Sequence, residues 1–306
     1  MGISFFMSIP HHIHRQNFFE FLQFQKRYSK HTLVSYKNDL DSFFSFIQNQ
    51  YPEAPITEIK AVYVRSWLAD MKDNKMSARS LNRKISSLRS FFKFLLKKDI
   101  VKSNPVNGIT SPKMPKRLPQ FITEIDTDKL FNEIEFSKGF KGLTEKLLLQ
   151  VLYFTGIRKA ELIGIKEYDI DKMNSQIKVL GKGNKERIIP VNSLLINDLE
   201  FYAKEKKKLN LCNETNNLFV SEKGASLDPK QVYNIAKKYL SKVTTIEKKS
   251  PHILRHTFAT HLMNNGAELN AVKELLGHAS LAATQIYTHN SIEKLKDIYQ
   301  KAHPKA

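Results

Sequence analysis

The chain has 306 residues, 49 Lys and Arg against 30 Asp and Glu, a formal net charge of +19 and 41% hydrophobic residues. That length suits two domains and that composition a packed core, which excludes disorder, collagen-like repeats and coiled coil as the main architecture. A single cysteine, Cys212, rules out an internal disulfide and a Cys-rich metal framework, and makes a reducing compartment the default.

The longest dense apolar stretch, Leu147 to Phe154, is far short of the ~20 residues that span a bilayer. The N-terminus lacks the basic start and long apolar run of a secretory signal. Gly2 lacks the Ser or Thr four positions on that myristoylation uses, since Phe6 stands there. A cytoplasmic protein with no membrane partner is expected. Residues 1–115 hold 18 Lys and Arg against 8 Asp and Glu, and residues 116–306 hold 31 against 22. The excess therefore runs through both halves and points to a polyanionic partner, nucleic acid first. A basic surface kept for solubility is the alternative.

The first ~115 residues read as helices only. Leu33, Tyr36, Leu40, Phe43, Phe44 and Ile47 recur three or four apart and form one apolar face. Val62, Val64, Trp67, Leu68 and Met71 suggest a shorter helix, broken by Asp73-Asn-Lys75. Ser77 opens a third, carrying Leu81, Ile85, Leu88, Phe91, Phe92 and Leu95. Arg79, Arg83, Lys84, Arg89 and Lys93 are assigned to its polar face, where they follow a phosphate backbone or form an ordinary solvated surface. Residues 103–119 hold four prolines and read as an extended linker. The domain limits are set at 1–107, a linker over 108–120, and 121–306. A basic linker between two basic domains would let them close on a duplex as a clamp.

The second domain reads as mostly α with one small antiparallel sheet. Helices are expected over 126–134, 142–156, 193–208, 228–241, 251–265, 268–276 and 291–301. Gln176-Ile-Lys-Val-Leu180 and Arg187-Ile-Ile-Pro-Val191, joined through Gly181-Lys-Gly-Asn184, read as a β-hairpin.

Five features of this domain could carry chemistry. Arg158 follows Gly156 at a helix start, where its planar fork suits a phosphate, and Glu161 lies three residues on to orient it. A plain surface Arg–Glu pair is the alternative. Lys182, in the hairpin turn with Lys185 and Arg187 nearby, reads as a mobile cation and proton donor, or as an ordinary charged tip. His252 and Arg255 share one helix face. A zinc site from His252, His256 and His261 is set aside, because no H-E-x-x-H arrangement or nearby cysteine accompanies them. Gly277 reads as a helix stop that leaves His278 at a helix end. Tyr287 is a half-buried packing residue or, among these cations, an activated nucleophile. Together they supply positive charge for equatorial oxygens, an in-line nucleophile and an acid, which is what phosphoryl transfer needs.

TGIRKAEL, GKGNKERIIP, PHILRHTFATHL and ELLGHASLAATQIYTH place Arg158, Lys182, His252, Arg255, His278 and Tyr287 in an order and spacing that resembles the tyrosine recombinase family, the Xer recombinases especially. The resemblance covers nearly the whole chain. It implies an all-helical core-binding domain and an α-rich catalytic domain, with double-stranded DNA as substrate. It implies that Tyr287 attacks a phosphodiester to give a 3′-phosphotyrosine and a free 5′-hydroxyl. Arg158 and Arg255 would hold the non-bridging oxygens, His278 would add a hydrogen bond, His252 would act as general base and Lys182 as general acid, with no metal, cofactor or ATP. A homo- or hetero-tetramer on two DNA sites, a Holliday junction, a terminal helix from Ile292 to Tyr299 docking on a neighbouring protomer, and a DNA translocase of the FtsK type belong to the same implication. Packing of that helix on its own domain is the alternative. The core-binding pattern begins by about residue 16, which leaves no room for the extra arm-binding domain of lambda-type integrases. Chromosome dimer resolution is therefore expected ahead of a DNA invertase or mobile-element integrase. A type IB topoisomerase and a non-cutting architectural DNA binder are the remaining alternatives.

Overall fold

The computed structural model describes residues 11–114, 120–181, 184–211, 216–277 and 289–305. The chain divides into two compact units, residues 1–117 and 118–306. Cys212 lies outside the described residues.

The first unit is helical: α1 (His11–Glu20) runs into a π-helical turn, Phe21–Gln25, followed by α2 (Lys30–Gln50), α3 (Ala61–Asp73) and α4 (Ala78–Lys97). Ser29 and Ser77 open α2 and α4, their hydroxyls accepting from the backbone N–H groups of Thr32 and Ser80. The apolar faces close on a core of Phe18, Phe43, Phe44, Trp67, Leu88, Phe91 and Phe92. The ring of Trp67 meets Phe43 edge-on at 5.1 Å. The proline-containing stretch after α4 differs from the expected extended linker at its start. Val106 and Ile109 are buried in this core, and Asn104 ties the turn down by donating to the Arg89 carbonyl and accepting from Val106 N.

The second unit is organised around α6 (Gly139–Thr155), whose Leu147, Leu148, Val151 and Leu152 are fully buried. Around it pack α5 (Glu124–Asn132), α7 (Lys159–Gly164), α8 (Ser193–Lys208), α9 (Pro229–Val243), α10 (Pro251–Asn264), α11 (Leu269–Leu276) and α12 (His289–Ala302). Strands β1 (Ile170–Asp171), β2 (Gln176–Leu180) and β3 (Glu186–Pro190) form an antiparallel sheet in the order β1-β2-β3, with Ile177 opposite Ile189 and Val179 opposite Arg187. Helix α12, expected to dock on a neighbouring protomer, packs on its own unit. Its apolar face of Leu295, Tyr299 and Ala302 is buried in the core that contains Tyr153, Phe154 and Phe258. No helix among the described residues is long and apolar enough to cross a membrane.

Candidate active site

The site begins where α6 stops. Gly156 caps the helix in the left-handed region (φ 60°), and the chain turns at once into Arg158 and α7. Glu161, in the first turn of α7, reaches back to accept from the Arg158 backbone N–H at 2.8 Å and from Arg158 Nη1 at 2.8 Å. The guanidinium of Arg158 is thereby braced while 41% of the side chain stays exposed.

Helix α10 starts at Ser250 with Pro251 in its first turn, a position where a missing N–H costs nothing. That start places exposed His252 and buried Arg255 one turn apart on α10. Arg255 donates from Nη1 to the Gly156 carbonyl and from Nη2 to the Leu276 carbonyl, both at 2.7 Å. These bonds occupy two of its five donors. Burial, then the charges of Arg158 and Arg187 against the opposing pull of Glu161, push Arg255 down to about 10, so it stays protonated at neutral pH. Arg158, His252 and Arg255 line one cleft of about 290 Å³, together with Lys159, Tyr233 and Ser250.

Glu161 is the counter-charge of the site. Burial raises its pKa, but hydrogen bonds to and the charge of Arg187, then the bonds from Arg158, outweigh this and hold the carboxyl below its usual range. Two guanidiniums, those of Arg158 and Arg187, thus pair with one carboxylate, and a third, Arg255, feels its charge without bonding to it. The surplus positive charge, in a cleft open to solvent, suits a phosphate group.

Of the residues singled out from sequence, Arg158, Glu161, His252 and Arg255 come together here. Lys182, His278 and Tyr287 lie outside the described residues. Two DNA-contact candidates need correction. Arg187 is 4% exposed and ion-paired to Glu161. Its position in β3 puts it on the same inward face as Ile189, so period-two alternation already carried that signal. Lys84 is 7% exposed, paired with Asp39 and stacked over Trp67. It sits three residues after Leu81 and four before Leu88, on the apolar face. Arg79, Arg83 and Lys185 are exposed and Arg89 is half-buried. Tyr233, which lines the cleft from α9, carries no motif signal and was not anticipated.

Comparison with known proteins places the chain in a family. Residues 120–294 match the model of the phage integrase family, and residues 16–99 match the phage integrase N-terminal SAM-like domain. The chain is 40% identical to the tyrosine recombinase XerC of Thermodesulfovibrio yellowstonii, covering 94% of this chain and 95% of that one. It is 38% identical to XerC of Staphylococcus epidermidis, covering 95% and 97%. The fold is shared with the XerH site-specific recombinase bound to palindromic difH substrate, at TM-score 0.69, 24% identity and coverage of 87% and 78%. It is also shared with the Tn1549 transposon integrase in complex with a circular intermediate DNA, at TM-score 0.71, 19% identity and coverage of 94% and 98%. With matches across both units and relatives aligned almost end to end, the chain belongs to the phage integrase family, among its Xer-type tyrosine recombinases.

Proposed function

We propose that this protein is a site-specific DNA recombinase that cuts and rejoins duplex DNA through a covalent 3′-phosphotyrosine, and that its role is chromosome dimer resolution. The observation that carries the reading is the convergence of Arg158, Arg255 and His252 on one cleft, with Glu161 as counter-charge to Arg158. Arg158 and Arg255 hold the two non-bridging oxygens of the scissile phosphate and stabilise the charge that grows there in the transition state. The Tyr287 oxygen attacks phosphorus in line. The P–O5′ bond breaks, the tyrosine proton passes to His252, and Lys182 delivers a proton to the departing 5′-oxygen. Rejoining is the reverse sequence from a partner strand. The phosphotyrosine keeps the bond energy, so neither ATP nor a metal enters the balance.

The likeness to Xer recombinases supports the remainder of the reading. Four protomers assemble on two sites, by themselves or with a related recombinase, and resolve a Holliday junction. The all-helical unit grips the duplex, the compartment is the cytoplasm, and a DNA translocase of the FtsK type regulates exchange. The test is a duplex nicked near a candidate dimer-resolution site, incubated in EDTA with the wild-type protein and with Tyr287→Phe. A covalent protein–DNA adduct is expected from the wild type alone. An adduct that survives in Tyr287→Phe moves the nucleophile elsewhere, and tight binding with no adduct on any site favours a non-cutting DNA clamp.

A further inference from the structure

Arg187 is buried, and three of its five donors are taken within the protein. Its Nη1 and Nη2 donate in parallel to the two oxygens of Glu161 at 3.1 and 2.9 Å, and its Nε donates to the Leu275 carbonyl at 2.9 Å. The same carboxylate holds Arg158 by backbone and side chain. At the end of α11, three successive carbonyls each accept from a different arginine. Leu275 accepts from Arg187, Leu276 from Arg255 and Gly277 from Arg158, the last at 3.4 Å. The turn at Gly277 lies directly on the Arg187 side chain: a Cβ there would come within 3.1 Å of its Cδ and Nη1. Strand β3, α7 and the end of α11 therefore meet on one ion pair, from which the chain continues into His278.

We infer that Arg187 is a positioning residue for strand transfer. It fixes the Glu161 carboxylate, to which Arg158 gives one Nη1 donor, and so sets the angle at which the rest of the Arg158 fork faces the cleft. It also fixes the α11 turn that precedes His278. Without it, Glu161 has Arg158 as its remaining cation and draws that fork down onto itself. Lysine cannot substitute, because one ammonium cannot bridge both carboxylate oxygens in parallel and reach the Leu275 carbonyl in the same plane. This inference rests on the proposed function, and the experiment separates the two.

Single-turnover cleavage is measured on two nicked duplexes, one with an ordinary scissile phosphodiester and one with a methylphosphonate there. The methylphosphonate lacks the charged oxygen, so its reaction draws less on an aligned guanidinium. DNA affinity and melting temperature are recorded for the same proteins. Arg187→Lys and Arg187→Gln are expected to bind duplex as the wild type does. Both should cleave the phosphodiester about 100-fold more slowly, the scale of a misplaced reacting group. On the methylphosphonate the deficit should shrink by about tenfold, as for Arg158→Ala. A rate for either variant within about threefold of the wild type overturns the inference. So does a deficit equal on both substrates that tracks the loss of melting temperature, which makes Arg187 a strut only. If both Arg187 variants fail to fold, Glu161→Gln carries the same readout, since it keeps the shape and removes the shared charge. Failure of the wild type to cleave either substrate instead brings down the proposed function, and this inference with it.

Discussion

At the scale of single residues, the site depends on Gly156 as well as on its charges. Its carbonyl is one of the two acceptors that orient Arg255, and its φ of 60° is a conformation that side chains rarely adopt. A Cβ there would lie 2.3 Å from Phe258 Cδ1 and 2.9 Å from Leu276 Cδ2, inside the packed core. Gly156→Ala therefore combines left-handed strain of about 1 kcal/mol with overpacking of about 1–3 kcal/mol. Relief by backbone movement would carry the Arg255 acceptor with it. Urea denaturation should show a loss of about 2–4 kcal/mol, with cleavage lost at temperatures where the variant is still folded. Gly164→Ala is the control, because a Cβ at that exposed helical position meets nothing within 4 Å. Its expected change is within about 0.5 kcal/mol. Equal midpoints for the two variants would show that Gly156 is neither strained nor crowded.

At the scale of elements, the helices were legible wherever an apolar period coincided with a local start or stop. Ser77, the break at 73–75 and Gly156 all mark real ends, and 193–208 is the observed span of α8. What escaped was short or lacked a period: the two-residue β1 and the π-helical turn, whose formation depends on tertiary contacts. The site was legible in its motif residues. It was misread at Arg187 and Lys84, where formal charge was given more weight than the strand and helix periods that turn both inward. Helix α12 shows a third kind of limit, since its apolar face fits a groove in either the same chain or another. In the structure its end is closed by His303, 4% exposed, stacked on Tyr299 and packed against Tyr153, Phe154 and Phe258. Its Nδ1 accepts from the Lys305 backbone N–H. Burial first, then the charges of His261 and Lys305, push its pKa down from 6.5 to about 3 despite a raising backbone hydrogen bond. A folded value below the unfolded one means that unfolding takes up a proton at acid pH. The seat is at full strength above about pH 6.5 and weakens as pH falls toward 3. Between pH 7.5 and 5.5 this group should cost about 1.4 kcal/mol of stability, and His303→Phe should lack that part of the loss. Urea titrations of both proteins at the two pH values check it. Identical losses would mean that His303 is not held neutral in the folded chain.

At the scale of the whole molecule, a net charge of +19 spread over both units makes DNA affinity a steep function of salt. Each phosphate neutralised by a cation contributes about −0.9 to the slope of log K against log salt. Adjacent residues of α4 should separate in this measurement, although both are basic and both were assigned to the DNA-facing stripe. The Arg83 side chain is 48% exposed, and Ser35 and Asp39 hold its Nη1 at 2.7 and 2.6 Å, which leaves its other donors available. Arg83→Ala should weaken binding to any duplex and flatten the slope by about one unit. Lys84 lies 3.5 Å from the buried Asp39 carboxylate, so Lys84→Ala strips a counter-charge from the core. That change should lower the stability of the first unit by about 1–3 kcal/mol and leave the slope of the folded protein as it was. The two variants thus separate on salt dependence: Arg83→Ala flattens the slope, with some loss of stability because Arg83 also pairs with Asp39, whereas Lys84→Ala lowers stability at constant slope. A slope unchanged by Arg83→Ala would remove that residue from the interface. A slope flattened by Lys84→Ala would mean that the Asp39 cluster opens on DNA and gives up its lysine to a phosphate.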